Sequence, residues 1–431
     1  MTASSLTRTL LASVGISLLA LSPALAQTKV TFFYPVQVGG PLTAVVDGYV
    51  ADFEAQNPGI DIEAIYSGSY TDTTTRALTA ARAGTPPTMA VLLATDIFTL
   101  IDSGFVEPVD TWIKTDADKA WVDGFMPAYL ASANVEGHLW AVPFQRSTAV
   151  MYYNKEAYKA AGLDPETPPK TWDEMVEHGK ALTVRDASGA VTQWGLGIPG
   201  SSNAVHWLFG ALVAQNKGKL SSDDGLHTFF DTPEVIAALQ YFVDLSAKHG
   251  IHPPGVQEWG TTPADFMEGR LAMAWTTTGN LTNIRTNAKF DFGVAPYPGN
   301  PEPASVLGGG NLYIFEGASD EEKAAAFEFI KFLTSDELLA DWGIQTGYVA
   351  PRDGSWDTQA MKDYVAQVPQ ADVARRQIAV SVPEISTFEG QRVNEVLNAA
   401  IQSALTGTDT PEAAMQTAQA EAERILAPYR K

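Results

Sequence analysis

A single arginine, Arg146, lies between Gln145 and Ser147 in the segment AVPFQRSTAVMYYNKEAYKAAGL, residues 141–163. The chain is otherwise strongly acidic, with a formal net charge of −22. A guanidinium can bind phosphate or sulfate through two parallel hydrogen bonds, and it also donates to neutral sugars and polyols. Arg146 and Ser147 are therefore candidate ligand contacts. The alternative is that Arg146 forms an internal ion pair with an acidic residue such as Asp96.

Other side chains that could contact a ligand lie near the ends of predicted strands and helices. Tyr34 and Gln37 lie at the end of the first predicted strand, where a simple turn role is the alternative. Trp207, four residues after Asn203 in PGSSNAVHWLFGAL, could stack on the CH surface of a ligand or belong to the core. Trp275 has the same two interpretations.

Several classes of functional site find little support in the sequence. The chain has no cysteine, and its six histidines are scattered without an HExxH pattern, so we expect neither a metal nor a cofactor. The glycines at 308–310 lack the GK[ST] ending of a phosphate-binding loop and are better explained by close backbone approach. The acidic charge argues against binding to nucleic acid. Abundant Asp and Glu leave a two-carboxylate glycosidase open by composition.

The elements that must position these residues begin with alternating strands and helices. KVTFFYPV (Lys29–Val36) and TMAVLLAT predict buried strands, and IDIEAIY predicts a strand with alternating apolar and polar residues. PLTAVVDGYVADFEAQNPG and TDTTTRALTAARAGTPP predict the helices between them. This order is typical of an α/β fold with an open parallel sheet. Ligands bind such sheets beyond the carboxyl ends of the strands, so we expect the loops YPVQVGG, YSGSY and LATD to form the site.

The strand and helix pattern restarts near residue 143. Thr171 followed by Glu174 predicts a capping box at the start of an amphipathic helix. GRLAMAWTTTGNLTNI predicts a strand, a polar turn and the start of a helix. GVAPYPGNPEPASVLGGGNLYIF predicts two strands joined by a proline-rich loop.

The first 26 residues predict a secretory signal peptide. Arg8 precedes an apolar run from Leu10 to Leu21, and Ala24-Leu25-Ala26 fits the small-x-small pattern of signal peptidase. The run is too short for a membrane-spanning helix, and a buried N-terminal helix is the alternative. We expect cleavage after Ala26 and a soluble protein outside the cytoplasm.

The rest of the chain is too long for one hydrophobic core, because single cores stop growing at about 250–300 residues. We therefore expect two lobes. The predicted N-terminal lobe contains residues 27–140 and about 280–330, and the predicted C-terminal lobe contains about 141–279 and 331–431. Without cysteine, no disulfide stabilises either lobe.

Four segments, in order, resemble those of a known family: STAVMYYNKEAYKAAGLDPETPPKTWDEM, FMEGRLAMAWTTTGNLTNI, LGGGNLYIF and TGYVAP. The chain resembles extracellular solute-binding proteins of ABC importers over nearly its whole mature length. The sn-glycerol-3-phosphate-binding periplasmic proteins are the most similar group. The resemblance implies a two-lobed α/β periplasmic binding protein fold, joined by strand crossovers, with a ligand cleft between the lobes.

The resemblance also implies ligand contacts from both lobes. It places Tyr70 and Tyr348 on ligand-contacting tyrosines of the family, and Ser147 on a serine. A ligand-facing glycine of the family falls near Gly309 and Gly310. A polar turn that carries a contacting serine in the family falls on Thr277 and Thr278.

Two departures from the family pattern bear on the ligand. The acidic contact of the family falls near Ala94, which leaves Thr95 and Asp96 beside it. The arginine that meets phosphate in the relatives aligns roughly with Ser386. Arg146 would restore an anion contact, which slightly favours an anionic glycerol or sugar derivative. A neutral sugar or polyol is the alternative.

The function implied by the resemblance is capture of a small polar solute in the periplasm by lobe closure. A monomer would deliver the solute to membrane permease subunits driven by a cytoplasmic ATPase, and it would perform no chemistry. A secreted carbohydrate-active hydrolase and a purely structural envelope protein are the alternatives. Recovery of unchanged sugar together with a ligand-dependent rise in melting temperature distinguishes the first function from both.

Overall fold

The computed structural model describes residues 27–201, 205–300 and 302–430. The predicted signal peptide, residues 1–26, and Asn203 lie outside the described residues. None of the described helices is both long enough and apolar enough to cross a lipid bilayer.

The described residues form thirteen strands and eighteen α-helices. The strands are β1 (Thr28–Tyr34), β2 (Ile60–Tyr66), β3 (Met89–Leu93), β4 (Val106–Glu107), β5 (Asn134–Val135), β6 (His138–Leu139), β7 (Val142–Asn154), β8 (Val184–Arg185), β9 (Val191–Gln193), β10 (Met273–Thr277), β11 (Phe292–Ala295), β12 (Ser305–Phe315) and β13 (Ser381–Val382). The helices are α1 (Leu42–Gln56), α2 (Tyr70–Arg82), α3 (Ile97–Ser103), α4 (Asp116–Asp123), α5 (Pro127–Leu130), α6 (Lys155–Ala160), α7 (Trp172–Leu182), α8 (Val205–Gln215), α9 (Pro233–Ala247), α10 (Thr262–Met267), α11 (Leu281–Asn287), α12 (Asp320–Leu333), α13 (Asp336–Thr346), α14 (Asp353–Asp357), α15 (Gln359–Gln367), α16 (Gln370–Gln377), α17 (Gly390–Leu405) and α18 (Pro411–Leu426).

The first three strands form a parallel sheet, as the alternation of strands and helices predicts. β1 pairs in parallel with both β2 and β3. Phe32 packs into a large core on one face of this sheet, and Phe33 packs into a smaller core on the other face. Because successive side chains of a strand point to opposite faces, the Phe32–Tyr34 end of β1 is apolar on both faces. The carboxyl ends of the three strands therefore lie along one edge of the sheet.

Two long strands, β7 and β12, extend the sheet from one half of the molecule into the other. β12 runs antiparallel to β3 and to the first part of β7. The second part of β7 pairs with β10 and β11. All 13 residues of β7 are buried, which explains why its sequence shows no alternation of apolar and polar side chains.

The side chain of Gln377, at the end of α16, holds the two long strands together where they cross. Its Nε2 donates to Thr148 Oγ1 of β7 at 2.6 Å and to Ser305 Oγ of β12 at 2.9 Å. Its Oε1 accepts the backbone N–H of Tyr297 at 3.0 Å. Both ends of this buried amide are therefore satisfied, and the crossing is fixed by a hydrogen-bond cluster.

Two large hydrophobic cores lie on either side of the crossing. The first contains Val30 of β1 together with Trp342 and Trp356, and the second contains Met175 and Ile401. The predicted boundary at residue 331 therefore does not match the packing. Residues 333–374 contribute to the first core, because α13 to α16 pack against it, and the second core resumes at residue 385.

Helix α7 begins where the sequence predicts, but only half of the predicted capping box forms. Thr171 Oγ1 accepts the N–H of Glu174 at 3.1 Å, whereas Glu174 Oε2 accepts the N–H of Lys170 rather than that of Thr171. A complete capping box begins α2, where Ser69 and Asp72 exchange hydrogen bonds. That box fixes the first turn of α2 and the loop before it.

Candidate functional site

A cavity of about 130 Å³ lies where the parallel strands end and the long strands cross. Gln37 follows β1, Ser69 follows β2 and Leu93 ends β3, so the cavity lies beyond the carboxyl ends of all three strands. The lining residues are Gln37, Val38, Ser69, Tyr70, Thr71, Leu93, Ser147, Trp207, Trp259, Thr277, Gly309, Tyr348 and Glu384.

Two tyrosines form the side of the cavity that belongs to the first core. The Tyr70 hydroxyl donates to Gln145 Oε1 at 2.8 Å and shares a hydrogen bond with the Tyr348 hydroxyl. Burial raises the pKa of Tyr70 well above its ordinary value and raises that of Tyr348 to about 12. Both phenols therefore remain neutral at physiological pH and can exchange hydrogen bonds with a ligand.

Two tryptophans form the opposite side. Trp207 Nε1 donates to the carbonyl of Leu307 on β12 at 3.1 Å, and Trp259 Nε1 donates to the carbonyl of Gln37 at 3.5 Å. The centroids of the two indole rings are 6.1 Å apart and the ring planes lie at 66°. Because each indole N–H is bound to backbone, the rings are held in place with apolar faces available to a ligand.

Glu384 is the one Asp, Glu, Lys, Arg or His among the described lining residues. Its side chain is 9% exposed, and Oε1 lies 3.4 Å from Nε2 of the buried His206. That contact has an ion-pair distance without hydrogen-bond geometry. His206 Nδ1 lies 3.2 Å from Oδ1 of Asn398, which can only accept, so Nδ1 carries the donated proton.

Asp96, just after β3, lies behind the cavity without lining it. The carboxylate accepts a hydrogen bond from Thr74 Oγ1 at 2.8 Å. Burial raises the pKa of Asp96 to about 6; the negative charge of Glu384 adds to this rise, and Thr74 and His206 oppose it. Asp96 therefore carries a proton more readily than an ordinary carboxyl group.

Arg146 does not line the cavity, in contrast to our expectation. Its Nη1 donates to the carbonyl of Gly309 at 3.2 Å and to Asn311 Oδ1 at 3.0 Å, and the guanidinium lies 5.0 Å from the centroid of the Tyr129 ring. No described carboxylate lies within ion-pair distance, so the alternative pair with Asp96 does not form either. The geometry gives Arg146 the role of joining β7 to β12, and it gives no support to a contact with an anionic ligand.

The structure brings seven of the thirteen predicted ligand contacts to the cavity, and their contact with a ligand stays a prediction: Gln37, Tyr70, Ser147, Trp207, Thr277, Gly309 and Tyr348. It leaves six outside the lining: Tyr34, Thr95, Arg146, Trp275, Thr278 and Gly310.

The aromatic and glycine residues outside the lining serve packing. Trp275 stacks on Tyr297 with centroids 3.9 Å apart inside the second core, which is the alternative that the sequence left open. The Tyr34 ring stacks on Phe32 at 5.5 Å in the first core. Gly310 leaves no room for a side chain, because a Cβ there would lie 2.7 Å from Val91.

The two threonines outside the lining make backbone contacts. Thr278 Oγ1 accepts the N–H of Thr148 at 3.4 Å. The carbonyl of Thr95 accepts a hydrogen bond from Ser386 Oγ at 2.9 Å, which joins the two halves beside the cavity. Ser386, where the relatives' arginine was expected, therefore bonds to protein backbone.

Six lining residues were not among the predicted contacts. Four lie in or directly beside loops that the strand order had already predicted to form the site: Val38, Ser69, Thr71 and Leu93. Trp259 and Glu384 lie in segments without a strand or helix pattern. Glu384 lies two residues before Ser386, where the resemblance placed a ligand contact of the relatives. The resemblance therefore indicated this part of the chain, but it did not indicate that a carboxylate would face the cavity. Among the described residues, no group of three or more His, Asp or Glu side chains could hold a metal.

The sequence matches the family model described as "Bacterial extracellular solute-binding protein" over residues 48–370. Among curated proteins, it is 28% identical to the sn-glycerol-3-phosphate-binding periplasmic protein UgpB of Escherichia coli strain K12. It is 29% identical to the UgpB of Salmonella typhimurium strain LT2. Both alignments cover 97% of this chain and 97% of the relative.

Solved structures with the same two-lobed architecture include UgpB from Mycobacterium tuberculosis in complex with glycerophosphocholine. The TM-score is 0.82 at 24% identity, covering 94% of this chain and 100% of that one. Maltose-bound MalE3 of T. maritima has a TM-score of 0.78 at 26% identity, covering 92% of this chain and 99% of that one. The predicted two-lobed α/β fold is therefore confirmed.

Proposed function

We propose, because this chain belongs to the bacterial extracellular solute-binding protein family, that its cavity captures a small hydroxyl-bearing solute. The observation that carries the proposal is the lining, to which both halves contribute. Ser69 and Tyr70 come from the side of the first core, and Trp207 and Glu384 come from the side of the second. A ligand in the cavity contacts both halves at once, as capture by closure requires.

The chain is the substrate-binding component of an ABC importer and not a hydrolase, since its family and its relatives are substrate-binding proteins. It acts outside the cytoplasm together with permease and ATPase subunits. We infer in addition that the periplasmic protein is a monomer beginning at Gln27, after cleavage behind Ala26. The intact mass of the exported protein and light scattering check these two statements.

The ligand class follows from the chemistry of the lining. The similar proteins are named for sn-glycerol 3-phosphate, glycerophosphocholine and maltose, which all carry hydroxyl groups. Hydroxyls and amides exchange hydrogen bonds with such groups, and indole faces cover the CH surfaces between them. The side chains that supply these contacts are Gln37, Ser69, Ser147, Thr277, Trp207 and Trp259. A sugar, a polyol or a glycerol derivative fits this set.

Binding energy in this arrangement comes from preferential stabilisation of the closed molecule. A solute shifts the equilibrium between open and closed forms only by the difference in its affinity for the two. Contacts to one half are available in either form, whereas simultaneous contacts to Tyr70 and Trp207 require closure. The Trp259 Nε1 group also donates directly to the Gln37 carbonyl, which joins the two halves beside the cavity.

A thermal-shift screen followed by calorimetry tests the proposal. The mature protein is mixed with maltose, glycerol, sn-glycerol 3-phosphate and glycerophosphocholine, and each solute is recovered and analysed afterwards. We expect at least one solute to raise the melting temperature saturably and to be recovered unchanged. Cleavage of the solute would indicate a hydrolase, and no shift with any solute would overturn the proposed ligand class.

A further inference from the structure

The charges around the cavity are distributed unevenly. Among the described residues, Glu384 brings a carboxylate into the lining, and no other lining residue is a lysine, arginine or histidine; the buried His206 lies 3.4 Å from Glu384 but outside the lining. A phosphate monoester has two negative charges, and proteins bind it with cations or with converging backbone N–H groups. The backbone N–H groups at the start of α2 lie on the Tyr70 side of the cavity, whereas the side with Trp207 and Glu384 offers an anion where such a ligand would need a donor.

The buried guanidinium of Arg146 is bonded to other partners. Arg146 is 1% exposed, and its Nη1 already donates to the Gly309 carbonyl and to Asn311. Although Arg146 and Glu384 interact electrostatically, the guanidinium lies outside the lining and cannot bond a solute there. His206 meets Glu384 from behind, and its own surroundings include the second carboxylate, Asp96.

The two tryptophans that line the same cavity as Glu384 strengthen this preference. Trp207 and Trp259 line the same cavity, and the faces of indole rings attract cations and CH groups and repel anions. A carboxylate beside two indoles accepts hydrogen bonds from hydroxyls and forms a favourable contact with an ammonium group. Neither feature stabilises phosphate.

We propose that Glu384 determines the charge of the solute that this protein accepts. It receives a hydroxyl or an ammonium group and excludes a phosphate monoester at that end of the cavity. The inference rests on the proposed function and narrows it to neutral solutes or zwitterions. Sugar and polyol hydroxyls and the ammonium end of a zwitterion share the required chemistry, and the experiment below distinguishes them.

The test compares solutes of different charge by calorimetry on the wild-type protein and on Glu384→Gln, which keeps the shape and removes the charge. The solutes are maltose, glycerol, glycerophosphocholine and sn-glycerol 3-phosphate. For the wild type, we expect sn-glycerol 3-phosphate to bind at least tenfold more weakly than the best neutral or zwitterionic solute. The ratio to compare is the dissociation constant of sn-glycerol 3-phosphate divided by that of the best neutral or zwitterionic solute. For Glu384→Gln, we expect this ratio to fall at least tenfold.

The control variant is Glu395→Gln, which removes the same charge from an exposed position on α17 of the same half. It should leave the ratio unchanged. A loss of affinity for glycerophosphocholine alone in Glu384→Gln identifies an ammonium contact, and a loss for maltose or glycerol identifies a hydroxyl contact.

Two results overturn the inference. Wild-type protein that binds sn-glycerol 3-phosphate as tightly as any other solute contradicts it and leaves the proposed function intact. A ratio that is equal in Glu384→Gln and wild type contradicts it as well. If no solute binds, the proposed ligand class fails, and the inference fails with it. The wild-type ratio needs no variant, so a misfolded Glu384→Gln does not prevent the test.

Discussion

Some of the polar groups that face the cavity already make hydrogen bonds within the protein. Tyr70 donates to Gln145, and Thr277 Oγ1 accepts the N–H of Gly279 at 3.1 Å. Such internal bonds hold a side chain in one orientation, so that a ligand meets a group whose rotational entropy is already lost. The orientation of the lining is thus part of the fold.

Replacing Ser147 by alanine should weaken solute binding with little effect on folding. The hydroxyl lies in the lining, and a hydrogen bond to a neutral partner contributes about 1 kcal/mol, or roughly a fivefold change in dissociation constant. Calorimetry with the solute from the thermal screen measures the change.

The matched control is Ser305→Ala. Ser305 Oγ is buried outside the lining, where it donates to the carbonyl of Ala149 and accepts from Gln377. This variant should lower the melting temperature and change the dissociation constant less than Ser147→Ala does. Equal affinities of wild type and Ser147→Ala would remove Ser147 from the site.

Asp96→Asn should stabilise the protein at neutral pH. Burial raises the pKa of Asp96 to about 6 from an ordinary value of 3.8, so the folded state binds the proton more tightly than the unfolded state does. Ionisation therefore costs on the order of 3 kcal/mol of folding free energy above pH 6, and the cost disappears as the pH falls below 3.8. Asparagine stays neutral and can still accept from Thr74.

Urea unfolding at pH 8 and at pH 4.5 measures this effect. The free energy of unfolding of Asp96→Asn should exceed that of wild type at pH 8, and the difference should shrink at pH 4.5. A difference that is the same at both values would show that the carboxyl group of Asp96 is not perturbed in the folded protein.

At the residue scale, sequence reasoning identified polar groups near strand ends but could not predict their neighbours. Tyr70, Ser147 and Tyr348 were identified through motifs of a related family, and all three line the cavity. Arg146 was predicted on its chemistry, but its side chain points to Asn311, because a buried strand alternates its faces and the sequence alone does not say which face meets the ligand. Glu384 gave no signal, since its surroundings form only on folding.

At the scale of elements, the crossing of β7 and β12 depends on one glycine. Gly309 has φ of +99°, and a Cβ at this position would lie 1.9 Å from the carbonyl oxygen of Gln145. The pairing of the two strands shifts register directly after it, between Gly310 and Asn311. The positive φ and the close approach together require glycine.

Gly309→Ala should destabilise the protein by more than 2 kcal/mol (about 1–2 from the backbone conformation and the rest from the clash) and should abolish solute binding. Gly407→Ala is the matched control, because φ is also positive, +72°, but no atom lies within 4 Å of the added Cβ. It should cost about 1 kcal/mol and leave binding intact. Urea unfolding and calorimetry give both quantities, and equal costs for the two variants would contradict the role of the close approach.

The elements of the first half follow from their sequences because each has one regular environment. β3 is a buried apolar strand, β2 at the edge of the sheet alternates apolar and polar residues, and α1 and α2 alternate apolar and polar positions with the helical period. The pairing of β7 with a second set of strands was not predicted, because a strand buried on both faces shows no alternation that would indicate which core each part of it meets.

At the scale of the whole molecule, the two cores meet beside the cavity through several contacts. Ser386 Oγ donates to the carbonyl of Thr95, and the rings of Phe98 and Phe388 lie 5.2 Å apart. The chain passes between the halves several times, and neither composition nor length marks where it returns. This is why residues 333–374 were expected in the wrong half, although two lobes were expected correctly.

Solute binding should make the molecule more compact. Small-angle scattering on the mature protein, with and without the solute from the thermal screen, should show a smaller radius of gyration in the bound state, because contacts to Tyr70 and Trp207 together favour closure. A solute from the same panel that gives no thermal shift serves as control and should leave the scattering unchanged. Superimposable curves with the binding solute would contradict closure.

The side-chain amide of Gln377 lies outside the lining of the cavity, but it is hydrogen-bonded to both β7 and β12, the strands that connect the two halves. A change in the stiffness of this joint would change how easily the halves open, and therefore how long a solute remains bound before it passes to the permease. No side chain in the lining of the cavity would have to change. The rate of solute release and the selectivity for the solute can therefore evolve through substitutions at different residues of this chain.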